Sequence, residues 1–145
     1  MMAPSDQLYS VRVWSNVMKS GTFAGRTILI VEDEPLIAIE IANDFSQAGA
    51  RVLTATNLQD GMRLAEHPDL SAAILDFQFS NGDSATMCAR LRGRRIPFVI
   101  YSGYPEEATA CRDAAYVSKP ASPDVLLTTV ARLLANKIPG TSAHA

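Results

Sequence analysis

The sequence predicts a doubly wound α/β domain, and three observations carry that prediction. Short, nearly continuous apolar runs recur at Ile28-Leu29-Ile30-Val31, Ala72-Ala73-Ile74-Leu75, Phe98-Val99-Ile100-Tyr101 and Ala115-Tyr116-Val117. Such runs are the pattern of strands buried on both faces. Stretches with apolar residues at helical spacing separate them, and alternation of this kind implies a parallel sheet with helices on both faces. Each run also stops on residues that carry chemistry: Glu32-Asp33, Asp76, Ser102 and Lys119. Right-handed crossovers bring the carboxyl ends of parallel strands to one edge, where folds of this class hold their binding crevice.

The elements follow in order. Thr27 to Val31 is the first strand. Pro35 suits the first turn of a helix, where its missing N–H has no partner to lose. Ile37, Ile41, Phe45 and Ala48 continue at helical spacing, and Gly49 stops the helix. Arg51 to Ala55 is the second strand. Asn57 caps a helix carrying Leu58, Met62 and Ala65, which His67-Pro68 ends. Ala72 to Leu75 is the third strand, and a loop runs from Phe77 to Gly82. Asp83 or Ser84 caps a third helix through Met87, Cys88 and Leu91, closed by Gly93. Ile96 to Tyr101 is the fourth strand, with Pro97 tolerable near its start. Only 17 positions separate Ser102 from Lys119, so the helix around Glu106 to Arg112 is short. Ala115 to Ser118 is the fifth strand. Ser122-Pro123-Asp124 opens the last helix, striped by Leu126, Val130 and Leu133. One domain is expected over residues 26–136, with residues 1–25 a flexible or docking extension, and residues 137–145 a flexible tail. In the extension, Val11, Val13 and Trp14 are the docking candidates.

Composition bounds the function. A chain of 145 residues has the length of one domain and can bury a real core. Hydrophobic residues make up 48% and charged residues 19%, with a formal net charge of -2, which argues against disorder and against a polyanionic partner such as nucleic acid. Cys88 and Cys111 have no metal-ligand spacing and read as small hydrophobes, as suits a reducing cytoplasm. No stretch approaches 18 consecutive apolar residues, and no leader pattern opens the chain, so neither membrane insertion nor secretion is expected.

If the first and third strands are neighbours, Glu32, Asp33 and Asp76 converge. Like charges a few Å apart cannot all stay ionised without a compensating cation. Ligation by carboxylate oxygens points to Mg²⁺, which keeps several waters and works beside phosphates. The Ser102 hydroxyl and Lys119 ammonium are what phosphoryl oxygens need once a carboxylate has taken the group up.

The ordered strand ends Glu-Asp, Asp, Ser-Gly and Lys-Pro resemble the receiver domain of two-component response regulators over roughly Arg26 to Leu134. The resemblance implies a flavodoxin-like, CheY-like five-stranded parallel sheet of order 2-1-3-4-5. It implies Asp76 as phosphoacceptor, Lys119 and Ser102 as its partners, and Mg²⁺ held by Glu32, Asp33, Asp76 and the backbone carbonyl of Gln78. Tyr116, three positions before the lysine, matches the family's switch aromatic, and the peptide bond before Pro120 is often cis in the family. The segment Pro97-Phe98-Val99-Ile100-Tyr101-Ser102-Gly103-Tyr104 is similar in part to a motif of an alphaproteobacterial subgroup, which makes Tyr104 a second switch candidate. Implied partners are a histidine kinase or histidine phosphotransfer protein upstream and a protein downstream. The expected product is a cytoplasmic single-domain switch, monomeric or weakly dimeric, that is not an enzyme beyond its own phosphoryl transfer and hydrolysis. Alternatives are a phosphate shuttle, the receiver fragment of a hybrid kinase, a metal-dependent aspartyl-phosphate phosphohydrolase, or an interaction domain that keeps only the fold. Against the hydrolase, Asp76-Phe77-Gln78 lacks a second acid two residues on.

Overall fold

Apolar runs of five or six residues build the centre of the protein. In a computed structural model, which describes residues 21–79, 82–103, 111 and 114–136, the main strands are β1 (Thr27–Val31), β2 (Arg51–Ala55), β3 (Leu70–Leu75), β6 (Phe98–Ser102) and β7 (Ala115–Ser118). They form one parallel sheet in the order β2-β1-β3-β6-β7, a flavodoxin-like arrangement in which the first strand lies between the second and third. The reversal of order between β1 and β3 opens the crevice at their carboxyl ends. All five residues of β1 are buried, as are five of the six in β3, because helices cover both faces.

Four helices are described: α1 (Pro35–Gln47), α2 (Leu58–Leu64), α3 (Ala85–Gly93) and α4 (Pro123–Asn136). Alternate strand residues sort into two apolar layers. Ile28, Ile30, Ile74, Val99 and Tyr101 pack with Ile41 and Phe45 of α1 and Leu126, Leu127 and Val130 of α4. Leu29, Val31, Ala73, Leu75 and Ile100 pack with Met87, Cys88 and Leu91 of α3.

Local signals place the helix ends. Pro35 starts α1, and Gly49 follows its end with a φ of 98°, a conformation that L side chains rarely adopt. Asn57 caps α2 by accepting the Asp60 N–H at 2.8 Å. At α3 the choice between Asp83 and Ser84 resolves by division of labour. Ser84 holds the cap position without a side-chain cap bond, and the Asp83 carboxylate accepts the Ala85 N–H at 3.0 Å.

The structure departs from the expectations in four places. β3 begins at Leu70, ahead of Ala72, and β6 runs from Phe98 through Ser102. The loop after β3 contains a two-residue hairpin, β4 (Gln78–Phe79) with β5 (Gly82–Asp83), too short to leave an alternating pattern. Phe23, placed in the extension by the sequence, is fully buried, lies 5.1 Å from the Phe45 ring and donates its N–H to Ala48 O. Cys88 and Cys111 are not independent apolar fillers: their sulfurs are bonded, so they give no support to a reducing compartment. Val11, Val13, Trp14, Tyr104, the short helix expected around Glu106 to Arg112 and the tail at 137–145 lie outside the described residues, Cys111 excepted.

Candidate functional site

Backbone pairing at the sheet edge sets the site. Glu32 leaves β1 with its N–H on Ala55 O at 2.9 Å, and Asp76 leaves β3 with its N–H on Val31 O at 2.9 Å. Two adjacent strand ends thus place two acidic residues side by side, and Asp33 joins them. One carboxylate oxygen from each of Glu32, Asp33 and Asp76 lies within 4.8 Å of the others. Glu32 is 2% exposed and Asp76 8%, whereas Asp33 faces solvent.

Lys119 closes the cluster from β7. Its Nζ lies 2.8 Å from Glu32 Oε1 and 3.3 Å from Asp76 Oδ2, and 5.4 Å from the centre of the Tyr101 ring. The expected Lys119–Asp76 pair is present, but the closer partner is Glu32. The peptide bond between Lys119 and Pro120 is cis. The Lys119 N–H binds Ser102 O at 2.9 Å, and the Tyr116 hydroxyl donates to the same oxygen at 2.7 Å. Ser102 is buried and Tyr116 half-buried, so the proposed hydroxyl and switch residues are already joined through one carbonyl.

Burial governs the protonation of this edge. It pushes the Glu32 carboxyl up to about 7, against the hydrogen bonds from Lys119 and the Glu34 N–H, while the Asp76 charge adds to the rise. Burial alone would push the Lys119 ammonium down, but the Glu32 hydrogen bond and the Asp76 and Glu32 charges outweigh it and hold its pKa above the ordinary value. Three hard oxygen donors within one ion's reach fit a divalent cation of the Mg²⁺ type.

The structure therefore brings together Glu32, Asp33, Asp76, Ser102, Tyr116 and Lys119. Gln78 lies in β4, directly after the Asp76-Phe77 turn. Two residues escaped the sequence reading. Ser84, fully buried, donates its hydroxyl to the Asp76 carbonyl and thereby fixes the turn that carries the carboxylate. Tyr101 accepts the Ala121 N–H on its hydroxyl at 3.2 Å and lends its ring to Lys119. Ser84 looks like a helix cap in sequence, and Tyr101 like a strand aromatic. Their roles depend on contacts across the sheet edge that spacing does not encode.

Comparison with known proteins places the chain in a family. The chain belongs to the response regulator receiver domain family of two-component signalling, matched over residues 28–131. It is 32% identical over 76 residues to the transcriptional regulatory protein TcrA of Mycobacterium tuberculosis, covering 52% of this chain and 30% of that protein. It is 27% identical over 109 residues to the acid tolerance regulatory protein ActR of Rhizobium meliloti, covering 70% of this chain and 56% of that one. The chain thus spans about a third to about half of these relatives. Among solved structures, a CheY-like receiver domain from Methanospirillum hungatei superposes with a TM-score of 0.71 at 22% identity, over 77% of this chain and 94% of that one. The response regulator TrrA from Thermotoga maritima, in complex with Mg²⁺-BeF, gives 0.68 at 22%, over 75% and 99%.

Proposed function

We propose that this receiver accepts a phosphoryl group on Asp76 and works as a switch that signals by binding another protein. The observation that carries the reading is the Asp76 carboxylate held between an acidic cluster and the Lys119 ammonium. In the step, an Asp76 carboxylate oxygen attacks phosphorus, the bond from phosphorus to the donor breaks, and an acyl phosphate remains. Mg²⁺, held by Glu32, Asp33, Asp76 and the Gln78 carbonyl, would screen the repulsion between the two anions. TrrA, observed with Mg²⁺-BeF, supports that choice of ion. Lys119 exchanges Glu32 for a phosphoryl oxygen, and the Ser102 hydroxyl donates to another. Tyr116, tied to the Ser102 carbonyl, follows the movement of that strand end.

The donor is a histidine kinase or a histidine phosphotransfer protein, the setting the cytoplasm, and the state a monomer or weak dimer. We read Tyr116 as the switch aromatic, with Tyr104 as the second candidate. Incubation with Mg²⁺ and acetyl phosphate, followed by intact mass, tests the assignment. One base-labile phosphoryl adduct is expected, absent without Mg²⁺ and in Asp76→Asn. An adduct that persists in Asp76→Asn would move the nucleophile elsewhere.

A further inference from the structure

Cys88 on α3 and Cys111, ahead of β7, are 23 positions apart in sequence, yet their Cα atoms lie 6.0 Å apart and their sulfurs are bonded. That Cα separation is the usual one for a disulfide. Both side chains are buried. Each cysteine also sits one short bonded path from the phosphoacceptor site. The Cys88 N–H binds Ser84 O at 2.8 Å, and the Ser84 hydroxyl donates to the Asp76 carbonyl. On the other side, the Cys111 carbonyl accepts the Ala114 N–H at 2.8 Å just ahead of β7, whose Tyr116 hydroxyl binds Ser102 O.

We propose that Cys88 and Cys111 form a reversible dithiol–disulfide site, oxidised by a small disulfide of the glutathione class, that couples redox state to the stiffness of the β7 edge. The thiolate of Cys111, which lies outside the α-helices and strands, attacks one sulfur of the small disulfide on local opening. This forms a mixed disulfide and expels one small thiolate. The Cys88 thiolate then attacks the Cys111 sulfur, the mixed bond breaks, and a second small thiolate leaves. Two protein thiols lose two electrons and their two protons, and one small disulfide becomes two thiols. A dithiol reductant reverses both steps. Oxidised, the bond ties α3 covalently to the chain just ahead of β7; reduced, that covalent tie is gone.

The full chain, reduced with dithiothreitol and then treated with oxidised glutathione, tests the proposal without any phosphoryl group, so its outcome is separate from the Asp76 chemistry. Oxidation should remove the mass of two hydrogens, block alkylation after denaturation, and reverse with dithiothreitol under native conditions. The closed loop should raise the melting temperature on the order of 10 °C. Amide exchange over Ala115–Ser118 should slow several-fold, and neither change should appear in Cys88→Ser or Cys111→Ser. The comparison of oxidised and reduced wild type needs no substitution, so a poorly folding variant leaves the test intact. Stable glutathione adducts without the internal bond would overturn the proposal. So would a bond that leaves β7 exchange unchanged, or one reducible only after unfolding.

Discussion

Glu32 gives the metal-free protein a pH response of its own. Its carboxyl is raised by burial from 4.5 to about 7, so between those values the folded chain binds more protons than the unfolded one. Stability therefore falls as pH rises through that window. Melting temperatures in EDTA should decline across it, and Glu32→Gln should flatten the decline and raise the value at alkaline pH by a few degrees. A steeper decline in the variant would contradict the assignment. Metal needs the carboxylate, so acid should weaken Mg²⁺ binding, and the Glu32→Gln response to Mg²⁺ should be small. Lys119→Met removes the cation between Glu32 and Asp76. A fully buried broken pair costs about 3–5 kcal/mol, and the 21% exposure of the Lys119 side chain lowers the expected loss to roughly 2 kcal/mol in urea melts, partly restored by Mg²⁺. At this scale Asp76, Asp33 and Lys119 were legible because each follows an apolar run. The Glu32–Lys119 contact was not, since it joins the first and last strand ends of the sheet.

Elements were legible where one local rule decides. Pro35, Asn57 and Gly49 mark helix ends by backbone chemistry that tertiary contacts do not alter, and the sequence placed all three. The β4–β5 hairpin and Phe23 were hidden, one because two residues carry no period, the other because its partner Phe45 lies beyond β1, near the end of α1. Gly61 shows packing overriding propensity. Alanine is the better helix former by about 1 kcal/mol. Yet a Cβ on Gly61 would meet Met87 Cε at 2.7 Å and Val31 Cγ1 at 2.9 Å. The Met87 methyl can swing aside, whereas Val31 is stiff and buried in β1. Gly61→Ala should thus destabilise by roughly 1–2 kcal/mol net in urea titration, as overpacking does. A stabilised variant would show that α2 can slide off β1.

At the scale of the molecule, Mg²⁺ should raise the melting temperature by mass action, and Asp33→Asn should lose most of that rise. Phosphorylation of Asp76 should slow amide exchange around Tyr101 to Asp113 while α1 from Leu36 to Gln47 changes little. Equal protection in both states, with no partner gained or lost, would leave a passive phosphate carrier. The strand order adds a consequence for how such a change leaves the site. Among the described residues, β7 is an outermost strand of the sheet, bonded to β6 alone through four residue pairs from Ala115 to Ser118. Displacing β6 would open ladders on both of its sides, and displacing β1 would do the same. β7 gives up one. Among the described residues, the strand that carries Tyr116 and delivers Lys119 is thus the one of the site's strands with the fewest ladder bonds to give up, so a change at Asp76 should reach it at less cost than it reaches the centre of the sheet.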